Sequence, residues 1–381
     1  MRIAIFSEVY WPMVSGVGVT LDRLVTALMA RGHEVRVYSA TYALPVGTEE
    51  RPEAHRSPSV PLFLYPDVQW AFPRQRDVVE DLARFNPDVV HLATEFALGL
   101  AGLKAAGQLG IPVIASAHTD YEKYAARYGV RWVLRMGWIY LRWFYGHADR
   151  VLVPSRIFQR TLSKRGVHHT GLWTRGVDPL HFHPRFRSEA YRRRFGVGPE
   201  DLLVTYIGRL AREKDIQRLL RGWVALRAER GNAQLVLAGQ GPMAEGLVRR
   251  PIAGVHLTGL LSGRDLSEAY ASADLFVFPS PTETFGNSLL EAMASGLPSL
   301  AVSGGGVLEF ARHTENAWLT RPQDTEALTG GLRLLLRDAE LRAKLSAGGL
   351  ATAASRGWET IYDQLLADYA AVAARRRARA A

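Results

Sequence analysis

The sequence predicts a two-domain α/β architecture, each domain a parallel sheet covered by helices on both faces. Three observations carry this. Short buried runs alternate with amphipathic helical stretches from Arg2 onward. The alternation restarts at Leu202, after a stretch punctuated by Pro179, Pro184 and Pro199. At 381 residues the chain is longer than one hydrophobic core usually serves.

The elements follow in order. Arg2 to Phe6 reads as a strand, and Val19 to Ala30 as a helix with Leu21, Leu24, Val25 and Leu28 on one face. Glu34 to Ser39, Asp88 to Leu92 and Ile111 to Ser116 are further strands. Tyr42 to Pro73, rich in Pro, polar and aromatic residues, reads as a surface loop. In the second half, Leu202–Gly208, Gln234–Gly239, Val255–Gly259, Leu275–Pro279 and Ser299–Val302 are the expected strands. The expected domains are 1–180 and 181–355, with 356–381 a terminal helix and basic tail. No short internal repeat is visible. Open α/β sheets bind ligands beyond the carboxyl ends of their strands, so the expected ligand site is a cleft between the two domains.

Composition narrows the function classes. Hydrophobic residues make up 48% and charged residues 22%, as in an ordinary globular protein. There is no cysteine, which excludes disulfides and thiolate chemistry. Met1-Arg-Ile-Ala-Ile-Phe enters a strand without a signal-peptide layout, and no run of 18 apolar residues exists. The expected location is therefore the cytoplasm. Net charge is +10, concentrated in the first half and in the Arg375-Arg376-Arg377-Ala-Arg379 tail. An anionic partner, lipid or nucleic acid, and a merely solubilising surface both fit that excess.

The most informative stretch is Pro279 to Pro298. A strand ending at Phe278 leads into a turn over Thr282 to Phe285 and a helix from Gly286 to Ala294, with Leu289, Leu290 and Met293 apolar. The first amides of that helix, from Phe285 through Asn287 to Ser288, lack intrahelical acceptors and stand at the positive end of its dipole. Such a terminus holds anions, and Gly286 admits a phosphate close to the backbone. Glu291 lies roughly 10 Å along the helix from the mouth where Glu283 sits. A sugar, a pyrophosphate and a ribose span a comparable length. A bare pair of glutamates at this spacing is more often one loop residue and one solvated helix residue. The full string separates the two cases.

Glu283-Thr-Phe-Gly-Asn-Ser-Leu-Leu-Glu291-Ala-Met-Ala-Ser-Gly-Leu-Pro resembles the retaining nucleotide-sugar glycosyltransferases of family 4, and the resemblance extends over essentially the whole chain. It implies the GT-B fold, two Rossmann-like domains. It also implies a terminal helix that crosses back onto the first domain. The Ser-Gly-Val loop and the Trp173-Thr-Arg-Gly-Val-Asp178 segment look like the branch that holds α-mannosyltransferases and sulfoquinovosyl- or glycosyl-diacylglycerol synthases.

The other candidate positions take their meaning beside that string. Arg209 and Lys214, five apart after a strand end, are placed to neutralise a departing diphosphate without a metal, or are simply a solvated basic loop. The family uses both positions on the donor diphosphate. Gly16, in Ser15-Gly16-Val-Gly18 after the first strand, permits close approach of a phosphate. The dinucleotide fingerprint fails there, since Leu21 stands where its third Gly belongs, and in Gly239-Gln-Gly241, where Ala244 does. His118 ends a strand and, by the resemblance, hydrogen-bonds the donor sugar. Asp120 is a candidate for acceptor work by proximity. Backbone near Leu261 is expected to meet the base. Glu309, after three glycines, matches a family position without an assigned role here. No metal site is apparent, and neither metal nor other cofactor is expected.

Between Trp132 and Tyr145 a helix is expected with Val133, Met136, Tyr140 and Phe144 on one side. Arg131, Arg135, Trp138, Arg142 and Tyr145 fall on another, a pattern suited to an anionic membrane interface or to a soluble surface. The function expected is transfer of a hexose from GDP-mannose or a UDP-hexose to a hydroxyl acceptor, a membrane glycolipid precursor, by a peripheral enzyme at the cytoplasmic membrane face. Alternatives are the same transfer to a soluble sugar or sugar phosphate, a GT-B epimerase, and a non-catalytic binder of nucleic acid or anionic surfaces. Nucleic acid is not an expected partner, as no recognition motif for it is present.

Overall fold

The computed structural model describes residues 1–13, 15–44, 47–62, 65–120 and 131–380, with backbone alone for 65–67, 131–135 and 375–380. The chain forms two compact units: Met1–Thr119 with Arg131–Thr174 and Glu359–Ala381, and Asp120–Val130 with Arg175–Trp358.

The first unit is built on β1 (Arg2–Ser7), β2 (Glu34–Ala40), β3 (Ala54–Ser57), the hairpin β4 (Ser59–Leu62) and β5 (Tyr65–Ala71), then β6 (Val89–Leu92), β7 (Val113–Ser116), β8 (Arg150–Val153) and β9 (Thr170–Leu172). Seven of these form a parallel sheet in the order β3-β2-β1-β6-β7-β8-β9. Ile3, Ala4, Ile5 and Phe6 of β1 are wholly buried, as a strand covered on both faces requires. The helices are α1 (Gly16–Ala30), α2 (Gln75–Phe85), α3 (Ala97–Leu109), α4 (Arg131–Gly146) and α5 (Arg156–Lys164). The C-terminal helix, Trp358–Ala380, contributes Tyr362, Leu365, Tyr369 and Val372 to buried positions.

The structure corrects the expectation of a surface loop over Tyr42 to Pro73. β3 joins the sheet beside β2, with Val37 opposite Ala54, and β4 pairs with β5 in an antiparallel hairpin. These strands are short, half-exposed and interrupted by Pro61, so no hydrophobic run marks them.

The second unit holds β10 (Leu203–Ile207), β11 (Gln234–Ala238), β12 (Val255–Gly259), β13 (Leu275–Phe278), β14 (Ser299–Val302) and β15 (Trp318–Thr320), all parallel, in the order β12-β11-β10-β13-β14-β15. Its helices are α6 (Glu189–Arg193), α7 (Ile216–Ala225), α8 (Ala244–Arg249), α9 (Gly263–Ala271), α10 (Asn287–Ala294), α11 (Thr325–Arg337) and α12 (Ala339–Ala354). Side chains alternate between two cores. Phe276 and Phe278 of β13 pack with Leu289, Leu290 and Met293 of α10, while Leu275 and Val277 pack with Trp223, Leu219 and Leu332. Each unit is thus a Rossmann-like open parallel α/β sheet, as the sequence predicts.

One buried cation ties the start of this sheet together. Arg192, fully buried, donates to Asp274 Oδ2 at 2.6 Å and to the carbonyls of Ser272, Gly198 and Asp201. Asp274 Oδ2 also accepts from the Leu203 amide at 2.8 Å, which joins the beginnings of β10 and β13. Replacing Arg192 by Met strips three carbonyls of their buried donor and leaves the Asp274 carboxylate with Arg187, 3.0 Å away, and the Leu203 amide alone. We expect a loss of about 3 kcal/mol, read as a fall of roughly 6–12 °C in Tm by calorimetry. A Tm unchanged within 1–2 °C, about 0.5 kcal/mol, contradicts this role.

Candidate functional site

In both sheets the first strand lies in the middle and the strand order reverses beside it. The loops leaving β10 and β13 therefore emerge side by side at one edge of the second unit, the place where open α/β sheets take ligands. The β10 loop carries Arg209 and a single turn, Arg212–Lys214, closed by Asp215 in the left-handed region at φ 56°. The β13 loop carries Glu283. Lys214 Nζ donates to Glu283 Oε1 at 2.6 Å, with side chains 21% and 17% exposed. Thr282 Oγ1 donates to the Glu213 carbonyl at 3.3 Å. The buried Tyr206 hydroxyl donates to the Arg209 carbonyl at 2.9 Å and fixes the backbone of that half-buried arginine. Burial, and then the charges of Glu283 and Glu213, push the Tyr206 phenol well above its ordinary range, so it remains a donor.

Glu283 is also held from behind. The Gly306 amide donates to the Glu283 carbonyl at 2.7 Å. A Cβ on Gly306 would stand 2.0 Å from the Thr284 carbonyl oxygen, and one on Gly304 would stand 2.8 Å from that of Pro281. The bare backbone of the glycine run is what lets the Glu283 loop lie where it does.

Gly286 caps α10 at φ 106°. Phe285 and Gly286 are buried, while Asn287 and Ser288 are partly exposed. The amides of Gly286, Asn287 and Ser288 find no acceptor among the described residues, which leaves an anion-binding terminus. About one turn on, Glu291 is partly exposed, and Tyr270 donates to its Oε2 at 2.8 Å. Burial and the Glu291 charge raise the Tyr270 phenol. Leu261 packs half-buried against the core, and Glu309 accepts from Arg356 through its carbonyl at 3.2 Å. The second unit thus brings together Arg209, Lys214, Glu283 and the start of α10. Tyr206, Tyr270 and the glycine run complete the arrangement, and no local sequence signal marked the two tyrosines.

In the first unit Gly16 is exposed, and a Cβ there would meet nothing within 4 Å. The Ser-Gly-Val-Gly segment is the first turn of α1 rather than a loop, because Ser15 caps it by accepting from the Gly18 amide at 3.0 Å. His118 follows β7, half-buried, with Nε2 2.8 Å from Ser116 Oγ. Asp120, two residues on, is 5% exposed.

The α4 face is corrected. Trp138 and Tyr145 are buried, at 8% and 1% exposure, whereas Met136, Ile139 and Trp143 are exposed at 67%, 57% and 45%. The Tyr145 hydroxyl hydrogen-bonds the Glu95 carboxylate and that of Tyr140 the Glu95 carbonyl, which anchors the polar tips inward. Burial, then Glu95 and Glu8, push the Tyr140 phenol up to about 12. Arg142 is exposed, and the side chains of Arg131 and Arg135 lie outside the described residues. Among the described residues no group of three His, Asp or Glu is placed to hold a metal ion.

Gly306→Ala drives its Cβ into the Thr284 carbonyl. It is expected to cost about 1–3 kcal/mol in thermal melts. Gly246→Ala, where a Cβ meets nothing within 4 Å, serves as the neutral control. Equal Tm values for the two proteins contradict the argument.

Comparison with known proteins fits this geometry. Residues 14–180 match Glycosyltransferase Family 4, and residues 187–351 match Glycosyl transferases group 1. The chain is 33% identical to a GDP-mannose-dependent alpha-mannosyltransferase of Mycobacterium tuberculosis, over 100% of this chain and 99% of that protein. It is 34% identical to sulfoquinovosyl transferase SQD2 of Arabidopsis thaliana, over 90% of this chain and 68% of the relative. Among solved structures, sucrose-phosphate synthase from Thermosynechococcus elongatus superposes with a TM-score of 0.79 at 22% identity, covering 98% of this chain and all of the other. Anabaena Alr3699/HepE in complex with UDP superposes at 0.76 and 19% identity, over 97% of this chain and 100% of that one. The string around Glu283, the paired loops that hold it and the full-length match together mean that this chain belongs to glycosyltransferase family 4.

Proposed function

We propose that this glycosyltransferase moves a mannosyl group from GDP-mannose to a hydroxyl of a membrane glycolipid precursor, with retention of anomeric configuration and without a metal ion. The observation that carries the proposal is the Lys214–Glu283 pair set at the start of α10. Two cations and a row of amides offer a diphosphate what a divalent cation would otherwise supply. The breaking bond joins sugar C1 to the β-phosphate oxygen, and the new bond joins C1 to the acceptor oxygen on the same face. The acceptor proton leaves with the departing phosphate. Arg209, Lys214 and the α10 amides stabilise that leaving group. Glu283, held by the Lys214 ammonium, and His118 orient the sugar, and Glu291 takes ribose hydroxyls. The choice of GDP-mannose rests on the full-length relatives that are GDP-mannose-dependent alpha-mannosyltransferases. The lipid acceptor is supported by relatives named sulfoquinovosyl transferase and alpha-monoglucosyldiacylglycerol synthase.

Melting in the presence of GDP, UDP and ADP tests the donor. GDP at about 100 times its dissociation constant adds roughly 2.7 kcal/mol, and the other two are expected to add less. A larger shift with UDP overturns the choice of base. With donor and lipid acceptor, wild type is expected to keep its rate in excess EDTA. Lys214→Met and Glu283→Gln are expected to lose about 100-fold or more in kcat. Wild-type rates in both folded variants, or loss of activity in EDTA, would sink the corresponding part of the mechanism.

The first unit supplies the surface for peripheral membrane contact. Met136, Ile139, Trp143 and Arg142 face solvent on α4, and Trp70, Phe72 and Phe96 are exposed at 38%, 54% and 39%. The Trp70 and Phe96 rings lie 5.9 Å apart, and the bond from Tyr140 to Glu95 brings α4 beside them. Exposed aromatics with a basic side chain suit an anionic lipid interface. No helix among the described residues is long and apolar enough to cross a membrane. Ile139→Ser with Trp143→Ser is expected to cut co-sedimentation with phosphatidylglycerol vesicles at least fivefold without lowering Tm. Absence of vesicle binding by wild type at low salt would favour the soluble acceptor.

A further inference from the structure

Behind His118 runs a chain of buried hydrogen bonds that ends on the C-terminal helix. Ser116 Oγ lies 2.8 Å from His118 Nε2 and 2.9 Å from His91 Nε2. His91 Nδ1 lies 2.6 Å from the Tyr369 hydroxyl. His91 and Tyr369 are wholly buried, and Ser116 is 1% exposed. Trp173, 2% exposed, stands edge-on between the two imidazoles, its ring centroid 5.5 Å from each.

The polarity of this chain follows from proton counting. A phenol has one proton, and a buried phenol proton without an acceptor costs about 1–3 kcal/mol. The hydrogen-bond partner of Tyr369 among the described residues is His91 Nδ1, so Tyr369 donates there. Burial and the neighbouring Asp368 charge raise the Tyr369 phenol far above its ordinary range, which keeps that proton in place. His91 then carries its proton on Nε2 and donates to Ser116 Oγ. Ser116 has one proton left to give, and it goes to His118 Nε2.

We infer that Tyr369, His91 and Ser116 are positioning residues that lock His118 as the tautomer protonated on Nδ1, with Nε2 held as the acceptor. In this tautomer the N–H donor of His118 is at Nδ1. The catalytic meaning rests on the reading of His118 given above; the tautomer does not. The run is also a constraint of long range, since Tyr369 lies 278 residues from His91 in sequence.

Long-range 15N–1H correlation of histidine-labelled protein reads the tautomer directly, with His118→Gln supplying the assignment. Wild type is expected to show a pyridine-type Nε2 and a protonated Nδ1 at neutral pH. Tyr369→Phe keeps the ring packing but removes the terminal donor. It is expected to give a mixture of both tautomers, a fall in kcat of about tenfold or more, and little change in donor KM. Ser116→Ala breaks the run one bond from His118 and is expected to do the same, which covers the case that Tyr369→Phe folds poorly. A protonated Nε2 in wild type, or an unaltered His118 tautomer in both folded variants, overturns the inference. The spectrum needs no donor sugar. A locked tautomer alongside full activity of His118→Gln would overturn the sugar-orienting role and leave the relay standing.

Discussion

Glu283 is gripped at both ends, and the chemistry of the second unit depends on that grip. Its carboxylate is held by Lys214 from the β10 loop, and its carbonyl by the Gly306 amide from the segment after β14. Those contacts come from three separate loops that meet because β10, β13 and β14 are consecutive neighbours in the sheet. The carboxylate is thus placed by backbone as much as by side chains. The start of α10 follows within a few residues, so the same grip also sets where an anion is received. Lys214 in turn depends on the left-handed turn at Asp215 and on the Tyr206 bond that steadies the Arg209 backbone.

Much of this was legible in the sequence, for identifiable reasons. Strands buried on both faces, such as β1 and β13, read as unbroken apolar runs, and α10 announces its buried face through Leu289, Leu290 and Met293. The Glu283 to Pro298 string concentrates unusual residues in a short span, so it survives without partners. The hairpin within 42–73 did not show, because Ala54-His-Arg-Ser57 and Ser59-Val-Pro-Leu62 carry no hydrophobic run. The phase of α4 was misread for a different reason. Aromatic and apolar residues surround that helix, and periodicity cannot choose between Trp138 and Met136 when both sides offer candidates. What decided it was Glu95 of another element, whose backbone carbonyl draws in the Tyr140 hydroxyl and whose buried carboxylate draws in that of Tyr145.

His91 shows the limit most clearly. In Asp88-Val-Val-His-Leu it looks like one polar residue in a buried strand, and nothing nearby signals a partner. Its two bonds reach Ser116 and Tyr369, in different elements of the same unit. Arg192 is similar: a run of arginines in a short helix suggests solvent, yet this one is wholly buried against Asp274. Local pattern finds faces and motifs. It does not find polar groups whose partners arrive from far along the chain, because burial of such a group is a property of the assembled unit.

The C-terminal helix has a consequence for biosynthesis. Its residues from Glu359 on belong to the first unit, where they supply the wholly buried Tyr369 and the buried Tyr362 and Leu365. Domains generally fold as units while the chain emerges from the ribosome. Here the first unit lacks part of its core until the helix Trp358–Ala380 is made. The second unit has its full sequence earlier and is able to close first. The earlier part of the first unit must wait, with apolar surface uncovered, until the helix Trp358–Ala380 is made and docks, which makes that interval the period when the nascent protein most needs shielding from aggregation.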